Sequence, residues 1–353
     1  MDAPSLEQFL RAIPLFSAIE PGEMPDLLTL VRTETLQEGQ TLFRENEPGD
    51  ALWVLGGGAE VTLSTTPQGA QAPVVVARLQ KGETVGEMAL VDEGERSATA
   101  VVVRGGPAHR IAAADFSRLR DAYRPAAYKV LRRICVDLCA RLRATDNRIV
   151  PSGTGIVPHT HLEVGAHVEP EALDEFPPFR KLPQVVKLAL ASRLRLVETE
   201  GVHPLFGEGE AADAAYFILS GEITVGRGGK TFTQMGPGSV LGLVGMIDKG
   251  TRSASCVTTG PAKLLRLSRH EFELLFAAGN RFAFSMVDLV ARQLVSHLRS
   301  ANQMLPAQPP SSPSPAPRGA PEAEESLPKG AVMPLEMELD LDDAFSEAFG
   351  EEL

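Results

Sequence analysis

The sequence predicts a mainly β fold with flanking α-helices, arranged as two tandem jelly-roll domains followed by a disordered C-terminal tail. The first observation behind this prediction is a set of short motifs that occurs twice. The second is a series of short β-rich segments separated by Gly, Pro, Asn and Asp. With 353 residues, 43% of them hydrophobic, the chain has enough apolar material for two packed domains.

The repeat is recognised by motifs that recur at a constant distance. The matching segments are Glu38-Gly39 and Glu200-Gly201, then Leu42-Phe43 and Leu205-Phe206, then Asp50 and Asp213. The offset between these copies is about 163 residues, and it becomes 156 at Gly86/Gly242, Arg96/Arg252 and Phe116/Phe272. The change predicts that one hairpin loop is seven residues shorter in the second copy.

Each copy is expected to begin and end with helices that enclose the β-rich segments. In the first copy, helical patterns cover Ser5–Phe16 and Glu23–Arg32, and they return at Ala113–Tyr123 and from Pro125 through Arg148. The strands are expected at Ala51–Leu55, Glu60–Leu63, Val74–Leu79 and Ser97–Val103. Their number and spacing favour an antiparallel barrel or jelly roll.

These patterns divide the chain into five segments. The first domain covers residues 1–149, a linker 150–170, the second domain 171–304, a Pro-rich disordered linker 305–334, and an acidic amphipathic motif 335–353. The first linker contains His159, His161 and His167, but no nearby Cys or acid supports a metal site, so solvated side chains are the favoured interpretation.

Charge and composition exclude several classes of protein. The net charge is −12, yet residues 305–353 contain 11 acidic and 2 basic residues, so the tail carries −9 and the rest of the chain only −3. This balance argues against a nucleic-acid-binding protein. No apolar run is long enough to cross a membrane, and the N-terminus lacks the pattern of a secretory signal. Three cysteines (Cys135, Cys139 and Cys256) suit small buried side chains in a reducing, cytoplasmic setting.

One segment of the first copy has a composition suited to binding a nucleotide. It reads Gly86-Glu87-Met88-Ala89, and after six residues Arg96-Ser97-Ala98. Arg96 can donate two hydrogen bonds to a phosphate, and the N–H groups near Met88 and Ala89 can add more. An ionised Glu87 only accepts hydrogen bonds, so beside a phosphate it would face a hydroxyl such as that of ribose. Neither charged position has an evident packing role in the sequence, which favours binding.

This segment, called the first cassette below, resembles the phosphate-binding cassette of the cyclic-nucleotide-binding domain family. The family includes bacterial catabolite activators and the regulatory subunits of cAMP-dependent protein kinase. The resemblance implies that Glu87 binds the ribose 2′-hydroxyl and Arg96 the cyclic phosphate. It further implies that Gly86, Met88, Ala89, Ser97 and Ala98 line the phosphate and that Thr145, on the last helix, contacts the base.

The second cassette departs from this pattern at one decisive position. Gly242, Arg252 and Ser253 match, but Leu243 stands where the carboxylate is expected. The second domain is therefore predicted to be degenerate and to bind a nucleotide weakly or not at all.

The leading hypothesis is a non-catalytic cytoplasmic signalling protein that binds cAMP or cGMP in its first domain and relays this to a protein partner. No catalytic motif, metal site or cofactor is expected, and no helix-turn-helix module follows either domain. The alternative is a ligand-independent scaffold. In both cases the tail, where Leu341, Phe345 and Phe349 share a helical spacing, is expected to bind a partner.

Overall fold

The structure, a computed structural model, describes residues 3–66, 72–92, 94–149, 162–277 and 281–303. The predicted segments 305–334 and 335–353, with most of the predicted linker, lie outside these residues. No helix within the described ranges is long and apolar enough to cross a membrane.

The first domain is built from two four-stranded antiparallel sheets. One sheet has the order β1-β8-β3-β6 and the other β2-β7-β4-β5. The strands are β1 (Val31–Leu36), β2 (Thr41–Phe43), β3 (Ala51–Leu55), β4 (Glu60–Thr65), β5 (Val74–Leu79), β6 (Thr84–Val85), β7 (Thr99–Arg104) and β8 (Gly106–Ala112). The accompanying helices are α1 (Ala3–Arg11), α2 (Met24–Leu28), α3 (Ala113–Asp121) and α4 (Pro125–Ile149).

The second domain repeats this topology strand for strand. Its sheets have the orders β9-β16-β11-β14 and β10-β15-β12-β13. The strands are β9 (Leu194–Thr199), β10 (Pro204–Phe206), β11 (Ala214–Ser220), β12 (Ile223–Arg227), β13 (Lys230–Met235), β14 (Val240–Leu241), β15 (Ser255–Thr258) and β16 (Ala262–Ser268). The helices are α5 (Gln184–Ala191), α6 (Leu243–Ile247), α7 (Arg269–Ala277) and α8 (Arg281–Gln303). The predicted pair of mainly β domains with flanking helices is confirmed.

The change of offset between the two copies falls at one hairpin. β4 and β5 are joined across residues 66–73, whereas β12 and β13 are joined by Gly228 and Gly229 alone. The connection is six residues shorter in the second domain and β12 is one residue shorter than β4, and together they account for the predicted change from 163 to 156.

Two of the predicted helices extend too far. The helix expected over Glu23–Arg32 ends at Leu28, because Val31 already begins β1 and pairs with Ile111 of β8. Alternating β-branched residues favour a strand here, and the pairing partner lies about 80 residues further along the chain. The first helix ends at Arg11, and turns rather than helix continue to Phe16.

The two long helices α4 and α8 pack against each other and run in the same direction. The rings of Tyr128 and Phe284 lie 5.8 Å apart, and Cys135 Sγ lies 3.9 Å from the carbonyl oxygen of Val287. One hydrophobic core includes both helices and the inner helical faces of both domains, while two smaller cores fill the barrels. The helix pair therefore joins the two domains through buried apolar surface.

The end of the predicted linker contacts the second domain. Gly165 N donates to Leu196 O at 2.8 Å, and exposed His167 forms a bridge with Arg195 of β9. His159 and His161 lie outside the described residues. Among the residues that the structure describes, no cluster of His, Cys, Asp or Glu is arranged to hold a metal ion.

Candidate functional site

The first cassette folds into a tight turn that depends on Gly86. This glycine has φ +85°, a left-handed conformation that side chains disfavour, and a Cβ there would lie 2.4 Å from Arg96 Nη1. The turn leads into a short 3-10 helix, Glu87–Leu90, in which every residue is buried. Close approach of the Arg96 guanidinium to this backbone is possible because position 86 lacks a side chain.

Arg96 is held by several protein partners. Its Nη2 donates to Asp50 Oδ1 at 2.9 Å and to Ala51 O at 2.8 Å, and its Nη1 donates to Gly86 O at 3.2 Å. The guanidinium carbon lies 4.0 Å from the centre of the Phe43 ring, a cation–π contact. The expectation that this position has no packing role is therefore wrong, because Arg96 ties β3 to the cassette turn.

One donor of Arg96 remains unpaired. Its Nε is buried and has no hydrogen-bond partner among the described residues. Burial lowers the pKa of Arg96, while the hydrogen bond and charge of Asp50 act in the opposite direction. Burial also acts to raise the pKa of Asp50, but hydrogen bonds from Arg110 and Arg96 outweigh it and leave that pKa lowered. Both groups are charged at neutral pH.

Glu87 is buried and forms an ion pair with Arg141 of α4. The Glu87 side chain is only 8% exposed, whereas that of Arg141 is 48% exposed. The buried carboxylate of Glu87 is therefore paired, and the Arg141 side chain that pairs with it is partly accessible to solvent. Thr145, which is also buried, lies one helical turn after Arg141 and hence on the same face of α4.

The other predicted residues of the first cassette lie close to this pair. Met88, Ala89 and Ala98 are buried, and Ser97 Oγ lies 3.9 Å from Met88 Sδ. The N–H of Ala89 donates to Gly86 O within the turn, so the expectation that it is free to bind a phosphate is wrong. The structure thus brings the predicted residues together, with Thr145 contributed from the long helix.

The second cassette reproduces the arginine cluster almost atom for atom. Arg252 donates to Asp213 Oδ1 at 2.8 Å and to Ala214 O at 2.7 Å, and it lies 4.0 Å from the Phe206 ring. Its Nε is likewise buried and unpaired among the described residues. Gly242 has φ +79°, as its counterpart Gly86 does.

The two cassettes differ at the positions of Glu87 and of its ion-pair partner Arg141. Adding the offset of 156 converts Glu87 into Leu243 and Arg141 into His297. Leu243 is buried, and burial lowers the pKa of His297. Both members of the ion pair are therefore replaced together by groups that suit an apolar site.

The space beside the second cassette is small. Two adjoining cavities of about 80 and 120 Å³ share Val244, Ser253 and His297 in their walls. Sites for small-molecule ligands are usually about 300–1,000 Å³. Leu142, Asp146 and Ile149 of α4 also line the larger cavity, so the first domain's helix closes part of the second domain's pocket.

Sequence reasoning missed the residues that hold Arg96 and Glu87 in place. The repeat itself contained the signal, because Phe43, Asp50 and Arg110 recur as Phe206, Asp213 and Arg266 and form the same contacts in both domains. The Glu87–Arg141 pair could have been found from its joint replacement at the offset of 156.

The three cysteines are inert buried side chains. Cys135, Cys139 and Cys256 are buried free thiols, and desolvation raises the pKa of each, that of Cys256 to about 12. A thiolate is the reactive form, so burial keeps these side chains in the role of small apolar groups.

Comparison with known proteins supplies the family. Residues 33–123 and 199–278, which include the two cassettes, match the family model for the cyclic nucleotide-binding domain. The chain carries two cyclic nucleotide-binding domains. The resemblance inferred from the cassette residues is confirmed, and the architecture described above is the tandem form of this domain.

Curated relatives share part of their length with this chain. The Cyclic AMP receptor protein of Thermus thermophilus is 33% identical over 117 residues, which are 32% of this chain and 54% of that protein. The cGMP-dependent protein kinase 2 of Homo sapiens is 29% identical over 93 residues, which are 26% of this chain and 12% of the kinase. The chain therefore spans about half of the bacterial receptor and a much smaller part of the kinase.

A solved structure with broader coverage is the regulatory domain of Toxoplasma gondii PKA with cAMP. It covers 79% of this chain and 95% of its own, at 18% identity and a TM-score of 0.32.

Proposed function

We propose that the first domain binds a cyclic nucleotide, cAMP or cGMP, and that the chain is a non-catalytic cytoplasmic regulator that passes this signal to a protein partner. The observation that carries the proposal is the asymmetry of the cassettes. Arg96 and Arg252 are held alike, but only the first cassette adds a buried carboxylate, Glu87, with a partner that is half exposed.

The chemistry of the first cassette suits a nucleotide. The buried and unpaired Nε of Arg96 lacks an acceptor, and a phosphate oxygen is an acceptor of the right kind. A ribose hydroxyl can replace Arg141 as the hydrogen-bond partner of Glu87. The Arg141 side chain is half exposed, so its guanidinium can be solvated by water once it separates from Glu87. Thr145 lies on the same helical face and is suited to contact the base.

The same contacts suggest how binding is relayed. Arg141 belongs to α4, whose residues Leu142, Asp146 and Ile149 line the larger cavity beside the second cassette. A ligand that releases Arg141 from Glu87 therefore acts on a helix that already contacts the other cassette. The tail, residues 335–353, is the proposed site of partner binding.

The test is thermal unfolding of the full chain with cAMP or cGMP. Ligand at 100 times its dissociation constant adds about 2.7 kcal/mol of stability, enough for a shift of several degrees. The informative variant is Glu87→Leu with Arg141→His, because it installs the pair that packs in the second domain. It is expected to fold and to lose the shift.

The matched control is Glu198→Leu with Lys263→His, which removes an exposed ion pair between β9 and β16 of the second domain. This control should keep the nucleotide-induced shift. A native protein that shows no shift with either nucleotide at millimolar concentration contradicts the proposal.

A second candidate function is a ligand-independent scaffold that recruits partners through its tail. It is favoured by the arginine clusters, since Arg96 and Arg252 have protein partners that explain their presence without any ligand. Loss of partner capture on deletion of residues 335–353, together with capture that no nucleotide alters, would support it.

A further inference from the structure

The end of helix α8 reaches across to the first cassette. Arg299 forms a forked pair with Asp92, with Nη1–Oδ2 at 2.7 Å and Nη2–Oδ1 at 2.9 Å, and its Nε donates to Glu95 O at 3.1 Å. Asp92 and Glu95 belong to the connection between Glu87 and Arg96. One side chain of the second domain thus contacts the middle and the end of the segment that joins Glu87 to Arg96.

The backbone of this connection is shaped to admit the arginine. A Cβ on Gly94 would lie 2.4 Å from Arg299 Nη1, and Asp92 Oδ1 also accepts a hydrogen bond from Gly94 N at 3.2 Å. Both charged side chains are about four-fifths buried, with exposures of 23% for Arg299 and 21% for Asp92. A bidentate ion pair buried to this extent contributes more to stability than an exposed ion pair does.

The reciprocal contact occurs on the other side of the helix pair. Arg143 of α4 forms a forked pair with Asp248 and donates to Thr251 O, and Gly250 leaves room for it. Adding 156 to Arg143, Asp92, Gly94 and Glu95 gives Arg299, Asp248, Gly250 and Thr251. Each domain's long helix therefore contacts the other domain's cassette through an arginine bound to an aspartate and to a backbone carbonyl.

We propose that Arg299 is a positioning residue for the ligand site of the first domain, so that the second domain, which lacks its own carboxylate, serves to preorganise the first cassette. Arg299 orders the connection between Glu87 and Arg96 before the ligand binds. The entropy cost of ordering this segment is then not subtracted from the free energy of ligand binding. This inference rests on the proposed function, since it concerns the affinity of that same site.

The test compares Arg299→Ala with Arg143→Ala in the full chain by titration calorimetry with cAMP and with cGMP. Both variants lose one interdomain clamp, so both should lower the melting temperature to a similar degree. Only Arg299→Ala is expected to weaken nucleotide binding, by about 2- to 30-fold. Arg299→Lys should recover part of the loss, because it keeps the charge without the fork.

Equal losses of affinity in the two alanine variants would mean that Arg299 acts merely through the interdomain contact, and unchanged affinity in both would also overturn the proposal. A readout without ligand separates this from failure of the proposed function. Amide hydrogen exchange should rise in residues 92–98 of Arg299→Ala and in residues 248–254 of Arg143→Ala, and equal changes at both cassettes, or none, contradict the positioning role.

Discussion

Arg96, which is proposed to bind a phosphate, is a buried charge that also has a structural role. Asp50, two carbonyl oxygens and the Phe43 ring hold it in the first domain, and equivalent groups hold Arg252 in the second. Retention of the arginine therefore does not distinguish a functional cassette from a degenerate one. A residue that differs between them is Glu87, which is buried and paired with Arg141.

The turn at Gly86 offers a test at the scale of a single residue. Gly86→Ala combines the cost of a left-handed conformation, about 1–2 kcal/mol, with a collision against Arg96 and the carbonyl of Ala51. We expect a total loss of roughly 2–5 kcal/mol, measured by chemical denaturation.

The control is Gly39→Ala. Gly39 has φ +80° but nothing within 4 Å of its added Cβ, so only the conformational cost applies. If the two variants lose the same stability, the close approach of Arg96 to the turn is not a constraint on the fold.

At the scale of the element, α4 serves two domains. Its early part packs on its own barrel and on α8, while Leu142, Asp146 and Ile149 line the second domain's cavity. Burial raises the pKa of Asp146 to about 6, although Arg227 and Arg143 act against the rise, and Glu208 adds to it. His297 lines the same cavity, and burial lowers its pKa.

Asp146→Asn is therefore expected to change how stability depends on pH. A carboxyl whose pKa is raised on folding stabilises the fold below its unfolded pKa of 3.8, and that contribution is lost as the pH rises through about 6. Asparagine stays neutral, as Asn302 is at the equivalent position of α8. The melting temperature of the variant should be higher than that of the native protein at pH 7.5, and the difference should disappear towards pH 4.

Thermal unfolding of both proteins at several pH values checks this. A gap that is constant with pH would show that Asp146 is not desolvated in the folded state.

The elements themselves could be predicted from the sequence to different degrees. β3, β4, β5 and the helices α3 and α4 were found because their patterns are local. The sequence prediction places the first two residues of β1 in a helix and does not include β2, β6 and β8. Two of these three strands have only two or three residues, and all three pair with strands distant in sequence. Short strands take their structure from their neighbours rather than from their own composition.

On the scale of the whole molecule, the chain is a pseudo-symmetric pair of domains about α4 and α8. Residues 128 and 284, which are equivalent at the offset of 156, contact each other, as expected at a two-fold axis. The cassette residues could be predicted from the sequence, because they are close together in it. The clamps of Arg143 and Arg299 could not, since their partners lie 105 and 207 residues away.

This symmetry predicts the behaviour of the first domain alone. Residues 1–149 would expose the face of α4 that packs on α8, and they contain both members of the clamp, Arg143 and Asp92. We therefore expect the fragment to form a dimer through α4, detected by light scattering after size-exclusion chromatography.

Arg143→Asp should weaken this dimer, because it places two acids opposite each other at both clamps. A fragment that stays folded and monomeric at tens of micromolar would contradict the pseudo-dimer interpretation of α4 and α8.

The covalent link between the domains changes what each site is free to become. In a homodimer, one coding segment specifies both sites, so a leucine in place of the carboxylate would remove both together. Here the two copies are encoded separately, and Leu243 and His297 alter one site without touching Glu87 and Arg141. Tandem duplication thus allows one domain to lose its own carboxylate site and to serve in stabilising the other domain.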